Sequence, residues 1–217
     1  MKNKENLIIF DCDGVLVDSE KLIKDYVLDQ LSTQGINSSF EVVSKYFDGS
    51  PLDVIFKSIE SSYSADLPSI FEDEFREELD KRFQNHLVPI KGIIDALEDI
   101  KITKCVASSS TLDRIKLSLE KTGLTKFFDN KIFSSYLINS WKPEPDIFIH
   151  AANEMGYKPN NCIVIEDSPM GVRAGKRAKM KVLGYSYNSN EKELEDEGAI
   201  IFNDMSILPS LIKDLLK

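Results

Sequence analysis

Cysteine, histidine and positive charge are all scarce in this 217-residue chain, and each shortage closes a class of function. Cys12, Cys105 and Cys162 make an odd count with no C-x-x-C pair, and each lies in or beside an apolar, strand-like run. A disulfide framework is therefore not expected, and buried thiols in a reducing compartment are. Cys12 sits between two aspartates, but no resolving cysteine is near it in sequence, which argues against a redox role. The two histidines, His86 and His150, fall in helix-like segments without a motif, and no G-x-S-x-G is present, so serine-hydrolase chemistry is not supported. Lys and Arg number 27 against 36 Asp and Glu, a net charge of −9, with no basic stripe carrying interleaved aromatics. Nucleic acid is thus excluded as an expected partner. No apolar stretch approaches the ~20 residues that span a bilayer, and residues 1–5 lack the apolar segment of a signal peptide. A cytoplasmic, monomeric protein with no membrane partner is the expectation.

What the chain does have is length enough for one substantial α/β core, and a first strand ending in acid. Asn6-Leu7-Ile8-Ile9-Phe10 is apolar without alternation, as in a parallel strand covered on both faces. Asp11-Cys12-Asp13-Gly14 follows at its carboxyl end, where open α/β sheets gather ligands. Asp11 and Asp13 are two apart, so on extended chain both side chains leave on one side. Their mutual repulsion calls for a divalent cation or for a raised pKa on one of them. An EF-hand calcium loop does not fit, because Gly14 comes fourth where that loop needs glycine sixth.

Residues 19–86 are helical in pattern throughout, with segments at 19–34, 40–47, 51–63 and 69–86. Ser19 suits an N-cap and Gly35 a stop for the first of these. Strands and helices then alternate: helix 92–100, strand 104–107, helix 112–121, strand 131–133, helix 145–155, strand 162–165, helix 169–178, strand 181–184, strand 199–202 and a terminal helix. The acidic run 191–197 reads as a solvated helix face. This βα repetition predicts a doubly wound, Rossmann-like parallel-sheet core over residues 1–15 and 91–217, split by a small helical cap over 16–90. A cap over the strand ends would exclude water and could close on substrate.

Three later strand ends carry further chemistry. Ser108-Ser109-Ser110-Thr111 opens a helix, with hydroxyls and free N–H groups suited to an anion. Glu166-Asp167-Ser168-Pro169 puts adjacent carboxylates at a strand end, fit to cap a helix or hold a hard cation. Between them Trp141-Lys142-Pro143-Glu144-Pro145 fixes a lysine on a proline-flanked segment. In an acidic protein such a particular cation must supply the local field for a phosphate.

These residues, in this order on successive βα units, resemble the four motifs of the haloacid dehalogenase superfamily. Residues 11–20, 142–146 and 166–171 look like the subgroup with a helical cap after the first motif, which includes sugar-phosphate phosphatases and β-phosphoglucomutase. The Asp11 start and the Trp141-Lys142-Pro143 segment look most like bacterial 6-phosphogluconate phosphatases. The resemblance implies a phosphatase acting on a small phosphorylated metabolite, with Asp11 as nucleophile, Asp13 as acid/base and Lys142 as charge clamp. It implies phosphate binding by Ser108, the backbone at Ser109 and Lys142. It also implies Mg²⁺ held by Asp11, Asp167 and the Asp13 carbonyl, with Glu166 a direct or an outer ligand. Gly49, in the 47–51 segment, is the cap position expected to approach substrate; neighbouring Asp48 disfavours a strongly anionic distal group. Phosphoryl exchange as in β-phosphoglucomutase is the alternative, but Ile23, Asp48 and Leu52 stand where its cap has histidine, lysine and arginine. A phosphate-binding protein without turnover is a third, weaker reading.

Overall fold

The computed structural model describes residues 6–46, 52–68, 73–186 and 191–217. Two compact units emerge: one spans Met1–Asp18 and Val88–Lys217, the other Ser19–Leu87. The Phe47–Pro51 segment, including Asp48 and Gly49, lies outside the described residues.

The inserted unit is helical. It contains α1 (Ser19–Thr33), α2 (Phe40–Ser44), α3 (Leu52–Tyr63) and α4 (Asp73–His86). Leu22, Tyr26, Val27 and Leu31 of α1 recur at helical spacing and are buried, together with Ile55, Phe56 and Ile59 of α3 and Phe75, Leu79 and Phe83 of α4. Phe75 anchors that core, meeting the rings of Tyr26 and Phe56 edge-on at 5.3 and 5.5 Å. Ser39 caps α2 by accepting from Val42 N. Lys24 is buried beside Glu20, one turn back, with its ammonium 5.6 Å from the Phe40 ring.

Among the described residues the larger unit is built on six parallel strands. In chain order come β1 (Leu7–Phe10), α5 (Ile93–Asp99), β2 (Thr103–Ser108), α6 (Leu112–Lys121), β3 (Ile132–Ser134), α7 (Ser135–Ile138) and α8 (Asp146–Met155). After these follow β4 (Cys162–Glu166), α9 (Pro169–Arg177), β5 (Lys181–Tyr185), α10 (Glu191–Asp196), β6 (Ile200–Phe202) and α11 (Leu208–Leu215). The strand order is β3-β2-β1-β4-β5-β6. The chain winds outward from β1 in one direction, returns, and continues from β4 in the other. That reversal makes the β1/β4 edge the topological switch point, the place where doubly wound sheets bind ligands.

All four residues of β1 are buried. Leu7 and Ile9 join the apolar cluster of Cys105, Cys162, Ile147, Phe148 and Val172, while Phe10, pointing the other way, meets Phe128 edge-on at 6.0 Å. The unalternating run at 6–10 is thus explained by helices on both faces. The third strand starts one residue later than its apolar run suggests, at Ile132, and ends on Ser134, which caps α7 through Tyr136 N. That four-residue helix is too short to leave a periodic signal.

All three cysteines are buried and unpaired, and burial pushes each thiol above its ordinary range. Among the described residues no helix is long and apolar enough to cross a membrane.

Candidate active site

The sheet register assembles the centre of the site. Phe10 pairs with Val106 on one side and Ile165 on the other, so the next residues along, Asp11 and Glu166, emerge together, with Ser108 one step further on β2. Adjacent strands lie about 4.8 Å apart, which brings side chains 155 residues distant in sequence into contact range. Asp11 continues the ladder by donating its N–H to Ile165 O at 3.0 Å. The chain then turns sharply: Leu16 N and Val17 N both donate to Cys12 O, and Gly14 N donates to Val17 O. Gly14 has φ +78°, and a Cβ there would fall 1.8 Å from Asp167 Oδ2. Only glycine serves both needs, a left-handed backbone and contact with a carboxylate.

Lys142 is the cation at the centre. Its ammonium donates to Asp11 Oδ1 at 2.5 Å and to Glu166 Oε1 at 2.6 Å, and lies 5.2 Å from the Phe148 ring centre. The lysine is almost wholly buried, with 7% of its side chain exposed. Burial works to depress its pKa, but the two carboxylates more than reverse that, and the group stays firmly protonated. The segment before α8 is held from outside by Arg177, which donates to Pro143 O and Glu144 Oε1, both at 3.1 Å.

Glu166 has no exposed surface, and both of its oxygens accept hydrogen bonds. Oε1 accepts from Lys142; Oε2 accepts from Asp167 N, Ser168 N and Ser168 Oγ, all at 3.0 Å. Ser168 in turn caps α9 by accepting from Gly171 N, with Pro169 in the first turn where its missing N–H costs nothing. Carboxylate oxygens of Asp11, Glu166 and Asp167 lie within 4.8 Å of one another. Burial, with Glu166 and Asp13 adding repulsion and Lys142 opposing, pushes the Asp11 carboxyl up to about 7. Three clustered carboxylates against one ammonium leave negative charge over, an oxygen-only donor set that suits a hard divalent cation.

The serine run closes the other side. Ser108 is buried at the end of β2, and its Oγ accepts from Ser110 N at 3.1 Å. Ser110 Oγ donates to Asp13 Oδ2 at 2.8 Å. Ser109 is half-buried between them, and Thr111 caps α6 through Arg114 N.

Asp11, Lys142, Glu166 and Asp167 therefore converge, while Ser108 lies beside them and the Asp13 carboxylate faces Ser110. Three participants were not singled out from sequence. Ser168 carries the Ser-Pro signature of a helix start. Gly171 is a glycine inside a helix, a costly choice that signals close approach, and a Cβ on it would sit 1.8 Å from Glu166 Oε1. The bond from Ser110 to Asp13 spans 97 residues and leaves no local signal.

This constellation on a doubly wound sheet defines a class, and the comparisons with known proteins agree with it. The family model for haloacid dehalogenase-like hydrolases matches residues 8–185, and the chain belongs to that family. It is 31% identical over 207 residues to the 6-phosphogluconate phosphatase of Escherichia coli, across 95% of this chain and 94% of that protein. A phosphorylated carbohydrates phosphatase of Thermotoga maritima is 28% identical over 218 residues, 96% of this chain and 99% of the relative. Among solved structures, a conserved haloacid dehalogenase-like protein of unknown function from Agrobacterium tumefaciens superimposes with a TM-score of 0.88 at 33% identity, covering 98% and 99% of the two chains.

Proposed function

We propose that this chain is a Mg²⁺-dependent phosphatase that hydrolyses a small phosphorylated metabolite of the sugar-phosphate class through an aspartyl-phosphate on Asp11. The observation that carries the reading is the Lys142 ammonium shared by Asp11 and Glu166 at the switch point, with Asp167 alongside. It supplies a nucleophile and a fixed cation in one buried cluster, with room in its charge balance for a second cation.

Asp11, Asp167 and the backbone carbonyl of Asp13 are the groups assigned to hold Mg²⁺, with Glu166 beside them. When bound, the ion supplies positive charge that lets a phosphate dianion approach a carboxylate. Lys142 neutralises phosphoryl oxygens from the other side, and Ser108, with a lone pair already taken by Ser110 N, donates its hydroxyl proton to one of them. An Asp11 carboxylate oxygen then attacks phosphorus as the bond to the leaving oxygen breaks, and Asp13 gives that oxygen its proton. In the second half, water attacks the phosphorus of the aspartyl-phosphate, its proton passes to Asp13, and Asp11 leaves as a carboxylate with inorganic phosphate. Buried carboxylate, ammonium and hydroxyl groups act here with little solvent screening, which is how modest contacts sum to a large rate effect.

Two full-length phosphatase relatives support hydrolysis as the outcome. Ile23 and Leu52, at the positions where β-phosphoglucomutase has histidine and arginine, support it over phosphoryl exchange. The helical unit is assigned the choice of substrate. The test is inorganic-phosphate release from a panel of sugar phosphates, phosphogluconates and nucleotides with Mg²⁺, using Asp11→Asn as control. Hydrolysis lost in the variant is expected. Conversion of β-glucose 1-phosphate to glucose 6-phosphate would replace the reading with the mutase, and no turnover on any ester would leave only phosphate binding.

A further inference from the structure

We infer that Ser110 is a positioning residue that fixes the orientation of the Asp13 carboxyl toward the leaving oxygen, and that Ser134 on the neighbouring strand holds it in place. The inference rests on the proposed acid/base role of Asp13. Ser110 Oγ donates to Asp13 Oδ2 at 2.8 Å, across the sheet from β2 to the turn after β1. Its own main chain is gripped at both ends: its N–H donates to Ser108 Oγ at 3.1 Å, and its carbonyl accepts from Ser134 Oγ at 2.6 Å. Ser134 is itself fully buried at the end of β3, and its Oγ accepts from Tyr136 N at 3.2 Å. Three parallel strands, β3, β2 and β1, are thereby linked into one chain of hydrogen bonds ending on a single carboxylate oxygen.

The arrangement matters because Asp13 is half-buried within the turn that Gly14 helps to make, and its carboxyl serves the leaving oxygen only when it is correctly aimed. The hydroxyl can donate to Oδ2 whether or not the carboxyl carries its proton, and the backbone that presents this donor is itself pinned at its N–H and its carbonyl. Oδ2 is thus tethered, and Oδ1 is the oxygen assigned to carry the proton for the leaving group. Removing the tether leaves the acid present but poorly aimed, so the loss falls on leaving groups that need a proton. General acid catalysis is worth about 10²–10⁴-fold, and misaiming forfeits part of that.

The experiment compares kcat/KM for an alkyl phosphate, with a poor leaving group, and p-nitrophenyl phosphate, whose phenolate departs unaided. This parameter covers only the steps through departure of the leaving group. Ser110→Ala is expected to lower the alkyl-to-aryl ratio about tenfold, Ser134→Ala to lower it less, and Ser110→Thr, which keeps a hydroxyl, to restore it. Equal losses on both esters, an unchanged ratio, or a folded threonine variant that fails to restore it would overturn the inference. Asp13→Asn run in parallel separates the two levels. If it collapses alkyl turnover while Ser110→Ala leaves the ratio intact, only the positioning role fails. If Asp13→Asn spares alkyl turnover, the acid/base reading itself fails.

Discussion

Replacing Lys142 by methionine removes the ammonium between Asp11 and Glu166 while keeping an unbranched side chain over Phe148. At contact distances of 2.5 and 2.6 Å, and with an effective dielectric of about 20, each pairing carries roughly 6 kcal/mol of Coulomb attraction. Much of that only offsets the desolvation of a buried ammonium, and removing one partner of a buried pair typically costs about 3–5 kcal/mol. The loss should depend on pH, because Asp11 already sits at about 7 with Lys142 pulling it down. Without that pull the folded carboxyl moves higher still. A carboxyl whose folded pKa exceeds its unfolded value holds its proton more tightly when folded. It is therefore tolerated at low pH and costs stability as pH rises from the unfolded toward the folded value. Urea unfolding of metal-free protein, followed by fluorescence of the single tryptophan, Trp141, reports on the α/β unit that holds this cluster. The gap between wild type and variant should reach about 3–5 kcal/mol at pH 8 and shrink by at least ~1 kcal/mol at pH 5. A gap that is flat across this range, or below ~1 kcal/mol at pH 8, would refute the account of Lys142 as the neutralising core of the cluster.

Two further outcomes follow from the same geometry. Gly171→Ala drives a methyl group into the Glu166 carboxylate, which is pinned by four donors and cannot retreat; about 1–3 kcal/mol of stability should go, and divalent-cation affinity with it, and calorimetry showing unaltered affinity would contradict the packing argument. Because Asp11 must surrender a proton before facing a cation, Mg²⁺ binding at pH 6 should release roughly 0.9 proton and almost none at pH 9, with affinity rising between. Calorimetry in buffers of different ionisation enthalpy measures that stoichiometry, and a pH-independent value would argue that Asp11 is already ionised.

Much of the α/β unit was legible from residue order because its elements are short and locally signalled. The run at 6–10 has no alternation, which a strand buried on both faces requires. Ser168-Pro169 marks a helix start by chemistry that acts within a few residues. The four-residue α7 and the start of β3 escaped, since elements that short lack a full period. Asp11, Ser108, Lys142 and the Glu166-Asp167 pair stood out because each lies at or beside the end of an apolar strand or in a stiff proline-flanked loop. Ser110 did not, because a serine in a serine run looks like helix capping until its distant partner is in view.

The sequence by itself determined the βα alternation, the acidic strand ends and the family, since these depend on periodicity and on residue types at fixed local spacing. Only the tertiary structure decided how the charges are paired. The register of β1 against β2 and β4 sets which residues stand beside Asp11 and Asp13, so that an Asp11 oxygen receives Lys142 and Ser110 tethers Asp13. Those are contacts across more than 90 residues of chain, and hydrogen bonding and burial at such separations are fixed by packing, which no local pattern encodes.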